Sequence, residues 1–191
     1  MLRWPARMPE RARRELEQAA LRVSPMWKGP LRIALMEAPA AWRTELISGG
    51  SKGTEVHAAS YLRKRRIVLA AELLEDSKEL RRIFLHELFH FAWIRLANSD
   101  RHSWEEVVRR EWRKNARGEL GWSSESRKNK LRGKRLRKRR WREYLCESFC
   151  DTGAWACGRL GEHDEFTLGE AWRKERMRWW RSLLAGRLLS I

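Results

Sequence analysis

Two histidines four residues apart stand in the segment His86-Glu87-Leu88-Phe89-His90. At helical pitch, side chains at this spacing project from one face, one turn apart, so both imidazoles can bind the same metal ion. The glutamate beside the first histidine can then take a proton from water bound to that metal. The pattern H-E-x-x-H therefore predicts a zinc site with Glu87 as general base.

A third ligand is expected, because catalytic zinc sites commonly use three protein ligands and a water. Glu143, Glu147 and Asp151 follow one another at intervals of four residues, so one helical face carries all three carboxylates. Such a row is costly unless cations or a metal ion offset the repulsion. One carboxylate can bind zinc, while another can accept the free ring N–H of a histidine ligand.

The two motifs together, H-E-x-x-H and a later E-x-x-x-D, resemble those of the gluzincin metallopeptidases. His86, Glu87 and His90 match the first motif, and Glu147 and Asp151 match the second. The resemblance implies that zinc is bound by His86, His90 and Glu147. It also implies that Glu87 is the general base and that Asp151 supports His86.

The second motif is also similar to that of ImmA/IrrE-type regulatory metallopeptidases. It reads Glu147-Ser148-Phe149-Cys150-Asp151, with Ala154 beyond it and Cys150 where alanine is usual. The chain departs from the family in length, since fifty-six residues separate His90 from the motif. In an alternative frame, Glu143 is the ligand and Glu147 supports it.

The activity that the resemblance implies is zinc-dependent hydrolysis of a protein or peptide substrate. Zinc lowers the pKa of its water, and Glu87 accepts the proton and delivers it to the leaving amine. The developing oxyanion needs a donor besides zinc. His163, Tyr144 and His102 are the candidates, and we favour His163 because it follows the glutamate-bearing helix in a polar linker.

Apolar periodicity places the motifs on helices that follow short strands. It predicts strands at 31–36, 56–62 and 67–71, and helices at 9–21, 77–97, 103–116, 141–157 and 170–189. Loops are expected at 48–53, 118–126 and 162–168. Asp76 with Glu79 three positions later resembles a capping box that opens the helix carrying H-E-x-x-H.

These elements predict one α+β domain over residues 1–191. We expect a small zincin-like domain, in which a short mixed or antiparallel sheet packs on an active-site helix and a glutamate helix. A basic insertion is predicted at about 118–140, and an amphipathic helix at about 170–189 that faces the core. The resemblance implies that residues 56–61, or a neighbouring strand, provide an edge strand for an extended substrate.

Positive charge is concentrated in one part of the chain. The formal net charge is +17, from 42 Lys and Arg against 25 Asp and Glu, and the segment Arg127 to Arg142 contains eleven of these cations. Lysine and arginine that neutralise phosphates give sequence-independent affinity, so this segment predicts a nucleic-acid or other polyanion partner. A solvated insertion without a partner is the alternative.

Cysteine usage and hydropathy predict a cytoplasmic protein without a transmembrane segment. Only Cys146, Cys150 and Cys157 occur, an odd and clustered set that does not suggest a disulfide framework. Cys146 and Cys150, four residues apart, could in principle bind a metal ion, but we expect them to pack in the core. No uncharged apolar run approaches the ~18 residues that a bilayer requires. The alternative to an enzyme is a basic nucleic-acid-binding or protein-interaction protein with a structural or inactive H-E-x-x-H.

Overall fold

The computed structural model describes residues 1–42, 45–48, 53–132 and 137–191, and these form an α+β fold. The strands are β1 (Leu2–Arg3), β2 (Pro25–Met26), β3 (Leu31–Met36), β4 (Pro39–Trp42), β5 (Glu45–Ser48), β6 (Thr54–Glu55), β7 (Ala58–Tyr61), β8 (Arg66–Ala70) and β9 (Leu189–Ser190). The helices are α1 (Glu10–Leu21), α2 (Ser77–Trp93), α3 (Asn98–Arg113), α4 (Trp122–Leu131), α5 (Lys138–Gly158) and α6 (Glu170–Leu184), with a 3₁₀ turn at Ala71–Glu75 before α2. Much of the loop predicted at 48–53 lies outside the described residues.

The main sheet is mixed, as predicted, with strand order β1-β3-β8-β7. Strands β1, β3 and β8 are parallel, whereas β7 runs antiparallel to β8. The strands predicted at 56–62 and 67–71 form β7 and β8, which pair antiparallel with Ala58 opposite Leu69 and Tyr61 opposite Arg66. Strand β7 is therefore an edge strand, and it lies beside α2. Two smaller sheets pair β5-β4-β6 and β2-β9.

Helix α2 begins where the sequence predicts. The Asp76 carboxylate caps it by accepting hydrogen bonds from the backbone N–H of Lys78 (2.9 Å) and Glu79 (3.1 Å). The capping box is not closed, because the Glu79 side chain binds Arg82 instead. Helix α2 ends at Trp93 rather than near 97, and Asn98, which was expected to follow its end, begins α3.

Helix α2 packs directly against α5, and this pairing brings the two motifs together. A Cβ at Gly153 would lie 2.6 Å from the ring of Phe89, so the close approach of the helices requires glycine there. Phe89, Phe149 and Trp180 are at most 1% exposed and form the aromatic centre of the core. The ring centroids of Phe89 and Phe149 each lie 4.9 Å from that of Trp180.

Helix α6 faces the core, as predicted, since Trp180 and Leu183 are 1% and 5% exposed. It is shorter than the predicted 170–189, because the chain leaves the helix after Leu184. Residues Leu189 and Ser190 then form β9 and pair in parallel with β2. None of the described helices is long and apolar enough to span a membrane.

The basic insertion predicted at about 118–140 contains a helix where a loop was expected at 118–126. The positions of α4 that face inward are Ser124, Lys128 and Leu131, which have helical spacing but little apolar character. Periodicity of apolar residues therefore could not reveal this helix. Helix α5 also begins earlier than predicted, at Lys138.

Lys128 belongs to a buried charge network that joins α3, α4 and α6. Arg176 is fully buried and forms two hydrogen bonds with Glu111, at 2.9 and 2.6 Å. Its Nη1 lies 2.8 Å from Glu119, and the Lys128 ammonium lies 2.8 Å from the other oxygen of that carboxylate. Burial alone would raise the pKa of Glu119, but Arg176 and Lys128 hold it below its usual range. Two cations therefore face two anions inside the protein.

Replacing Arg176 with methionine should lower the free energy of unfolding by about 3–5 kcal/mol, because two buried carboxylates lose their shared partner. Urea unfolding in the presence of a chelator measures the change. Lys174→Met is the matched control on the same helix, since Lys174 forms only an exposed pair with Glu170. Equal unfolding midpoints for the two variants would contradict the importance of the network.

Candidate metal centre

Helices α2 and α5 bring three potential metal-binding atoms together. The Nε2 atom of His86 lies 3.2 Å from Nε2 of His90 and 3.3 Å from Oε2 of Glu147. The third separation, from His90 Nε2 to Glu147 Oε2, is 3.8 Å. Ligand atoms about 2.0–2.1 Å from a tetrahedral zinc ion lie about 3.3 Å from one another. The separations therefore fit a single zinc ion held by these three side chains.

Asp151 fixes the orientation of the first histidine. Its Oδ1 lies 2.6 Å from Nδ1 of His86, which turns Nε2 of that ring toward the cluster. Its Oδ2 accepts a hydrogen bond from the backbone N–H of Ser124 at 2.9 Å. A Cβ at Gly121 would lie 2.4 Å from the Asp151 carboxylate, so only glycine fits at this position without displacing that carboxylate.

The second histidine is held by two thiols. The Sγ atoms of Cys146 and Cys150 each lie 3.5 Å from Nδ1 of His90, so its Nε2 also faces the cluster. Sulfur here takes the position at which a carbonyl or carboxylate commonly supports a histidine ligand. The two cysteines were predicted to pack in the core. Cys150 is buried there, and both thiols also contact His90.

Glu87 is 8% exposed and lines a cleft with a volume of about 360 Å³ beside the cluster. Its backbone carbonyl accepts a hydrogen bond of 2.9 Å from the hydroxyl of Ser60 on β7, which ties α2 to the edge strand. Residues Thr54 to Ala58 line one part of the cleft, and Trp122 and Ser123 line another. The predicted general base therefore lies in a cleft next to the three converging atoms.

Charges within the cluster favour a bound cation. Burial alone would lower the pKa of His86, but Asp151 raises it well above 6.5. Burial also opposes the charge of His90, whose contact with Cys146 nevertheless raises its pKa to about 9. The Glu147 pKa, which burial would raise, is lowered to about 2 by His86 and His90. The carboxylates thus attract positive charge, and a metal ion must displace protons from the imidazoles in order to bind.

Glu143 is not brought to the histidines. Its carboxylate accepts a hydrogen bond of 3.0 Å from Arg139 at the surface of α5. The supporting role predicted for Glu143, and the alternative frame in which it is the ligand, therefore have no support in this geometry. Glu147, one turn later, instead places its carboxylate within 3.3 Å of His86 and 3.8 Å of His90.

His163 is likewise not among the residues that line the cleft. Its Nε2 lies 3.2 Å from Glu79, and its Nδ1 accepts a hydrogen bond of 3.2 Å from the backbone N–H of Glu165. Both ring nitrogens are thus occupied, and the geometry does not support His163 as an oxyanion donor. Tyr144 is buried and donates to Glu119, while His102 is exposed on α3.

The cleft also contains residues that the sequence did not suggest. Arg82 lies one helical turn before His86 and pairs with Glu79 (2.5 Å) and Glu165 (2.8 Å). Glu165 in turn accepts a hydrogen bond of 2.7 Å from the backbone N–H of Trp122. Arg82 lies four residues before His86, so helical spacing could have placed it on the face of α2 that lines the cleft. No local sequence pattern indicates that Trp122 lines the same cleft.

No protein-family model, curated protein or solved structure matches this chain. Within its described part, the chain contains two groups of side chains that could hold a metal ion, namely His86 with Glu87 and His90, and His90 with Cys146 and Cys150. Oε2 of Glu147 lies close enough to both histidines to be a further ligand, and Oδ1 of Asp151 contacts Nδ1 of His86.

Gly121→Ala should weaken zinc binding by about 10–100-fold, because the added methyl group displaces Asp151 from His86. Competition against a chromophoric zinc chelator measures the dissociation constant. Gly169→Ala is the control, since its Cβ would meet only an ordinary contact of 3.8 Å. Unchanged affinity in a folded Gly121→Ala protein would show that Asp151 does not support the site.

Glu147→Gln should weaken zinc binding more than Gly121→Ala does. Loss of a supporting contact weakens metal affinity by about 10–100-fold, whereas Glu147→Gln removes a charged ligand itself. Elemental mass spectrometry after gel filtration gives the zinc content per chain. Glu143→Gln, one turn earlier on the same helix, should retain zinc. The reverse result would favour the frame in which Glu143 is the ligand.

Proposed function

We propose that the protein is a zinc-dependent metallopeptidase with a zincin-like fold. The observation that carries this proposal is the convergence of His86, His90 and Glu147 to within 3.2–3.8 Å, next to the carboxylate of Glu87 in a cleft. Two neutral imidazoles and one carboxylate are the donors that catalytic zinc sites of this class use, and a nearby carboxylate can act as their acid–base group.

His86, His90 and Glu147 would hold the metal. Bound zinc supplies Lewis acidity, which lowers the pKa of a water molecule and polarises a carbonyl group. Asp151 keeps a proton on Nδ1 of His86, so Nε2 of that ring presents a lone pair. A proton on Nδ1 of His90, shared with the sulfur of Cys146 or Cys150, would likewise leave Nε2 of that ring free to bind the metal.

Glu87 moves the proton in the proposed reaction. Its carboxylate accepts a proton from the attacking water and returns it to the nitrogen of the leaving amine. The hydroxyl of Ser60 donates a hydrogen bond to the backbone carbonyl of Glu87 and so fixes α2 at this residue. Because Glu87 is buried, few solvent molecules can compete for its carboxylate. The general base is therefore held between the edge strand and the cluster.

The edge strand supports a peptide as the substrate. Strand β7 pairs with β8 on one side, and the described part of the main sheet has no strand on its other side. An extended peptide can add to such an edge through backbone hydrogen bonds. Because α2 lies beside β7, a peptide bound there would run past Glu87. We place the reaction in a reducing, cytoplasmic setting, because all three cysteines are free.

The basic segment keeps a second function open. Lys138, Arg139 and Arg140 are all exposed at the start of α5, and this favours a polyanion such as nucleic acid as a partner. Lys128 cannot contribute, since Glu119 neutralises it in the interior. In this alternative the protein is a basic binding or interaction protein, and H-E-x-x-H is structural or inactive.

Glu87→Gln should retain zinc and lose peptidase activity by at least about 10²–10⁴-fold, because the proton acceptor is removed. Cleavage of a mixed peptide library, read by mass spectrometry, measures activity, and elemental analysis measures zinc. Glu106→Gln, an exposed position on α3, is the matched control.

Cleavage that survives in Glu87→Gln would exclude this mechanism. A folded protein that takes up no zinc would instead favour the polyanion-binding alternative, which oligonucleotide binding at low and high salt would then test.

A further inference from the structure

A small pocket lies directly beside the predicted ligand Glu147 and plays no part in the chemistry above. Its volume is about 110 Å³, and it is lined by Trp122, Ser123, Ser126, Arg127, Lys130 and Glu147. Five of these residues come from one face of α4, because their spacing follows the helical repeat. Helix α4 therefore presents a chemically distinct surface to the neighbourhood of the metal centre.

This surface combines two cations with two hydroxyl groups. Arg127 and Lys130 are exposed, and among the described residues neither lies within 4.0 Å of a carboxylate oxygen, although Arg127 is near enough to Glu147 to attract its charge. Lys128, between them in sequence, points inward and is neutralised by Glu119. The two outward cations thus remain available for an anionic ligand, with Ser123 and Ser126 as hydroxyl donors.

The pocket adjoins the cleft that contains Glu87, since the two share lining residues. Trp122 and Ser123 line both spaces, so a ligand bound in the cleft can extend one group into the pocket. The indole of Trp122 is 67% exposed, whereas its backbone N–H is anchored to Glu165 at 2.7 Å. An exposed tryptophan on a fixed backbone is a typical anchor for a partner molecule.

A carboxylate-bearing peptide fits this arrangement better than a nucleic-acid strand does. The pocket is small and adjoins a cleft that Ala58 of the edge strand lines, which suits an extended peptide. The cations that line the pocket are Arg127 and Lys130, which suit a single anionic group rather than a long run of phosphates. A single carboxylate can pair with Arg127 and Lys130 and leave Glu147 to the metal.

We propose that Arg127, Lys130 and Trp122 form a subsite that selects peptides with a carboxylate close to the bond to be cleaved. This inference rests on the proposed peptidase function. The carboxylate can come from an aspartate or glutamate side chain or from the C-terminus of the peptide, since both present the same group. Arg127 and Lys130 bind the carboxylate, and Trp122 packs on the adjoining peptide.

Binding, rather than turnover, tests this subsite separately from the catalytic proposal. Zinc-loaded Glu87→Gln protein is titrated by calorimetry with alanine-based pentapeptides blocked at both ends, having glutamate or glutamine at the centre. A third peptide has glutamine at the centre and a free C-terminal carboxylate. The glutamate peptide, the free-carboxylate peptide or both should bind at least about tenfold more tightly than the blocked glutamine peptide.

Charge-reversal variants assign the effect to the pocket. The preference for carboxylate should disappear in Arg127→Glu/Lys130→Glu and persist in Lys138→Glu/Arg140→Glu, which changes net charge equally at exposed positions outside the pocket. Trp122→Ala should weaken all three peptides similarly. Which peptide gains affinity distinguishes a side-chain carboxylate from a C-terminal one.

Equal affinity of the protein for all three peptides would overturn the proposal. It would also be overturned if the preference for carboxylate-bearing peptides fell equally in the two charge-reversal variants. An oligothymidine that binds through Arg127 and Lys130, with no preference among the peptides, would assign the pocket to phosphates and also overturn it. The peptidase proposal fails on different evidence, namely cleavage by wild-type protein that is absent or independent of Glu87.

Discussion

The hydrogen bond between Asp151 and His86 holds together the parts of the molecule on which the metal centre depends. It joins α5 to α2 in the interior, where an unpaired carboxylate would be costly. The second carboxylate oxygen of Asp151 accepts a hydrogen bond from the backbone N–H of Ser124, so the same side chain also fixes the start of α4. Gly121 provides the space for this carboxylate. One aspartate thereby sets the relative position of three helices and the orientation of a predicted ligand.

Polar contacts also attach the rest of α4, where most helices would use an apolar face. Lys128 reaches Glu119, which accepts a hydrogen bond from Tyr144 on α5 and pairs with Arg176 on α6. Such networks are sensitive to each partner, since a missing one leaves a buried charge unpaired. In return, they allow a strongly basic helix to pack against the core while its outer face remains cationic.

The sequence predicted those parts of the fold and site that local spacing determines. Asp76 marks the start of α2, and the intervals within H-E-x-x-H and between Glu147 and Asp151 place each pair on one helical face. Helix α4 was missed because its inward positions are mostly polar and become favourable only beside partners distant in the chain. The position of His163 was misjudged for a related reason: a loop residue has no periodicity, and its contact with Glu79 depends on tertiary structure.

The pairing of β2 with β9 has a consequence for how the chain reaches this fold. Pro25 lies opposite Leu189, and the backbone N–H of Lys28 donates to the carbonyl of Ile191 at 2.8 Å. These contacts join segments separated by almost the whole described chain, and closing so large a loop is entropically slow. Helices α2 and α5 both lie within the loop that this pairing closes, so they can meet before β9 pairs with β2. The histidine–glutamate cluster can therefore assemble before the fold is closed.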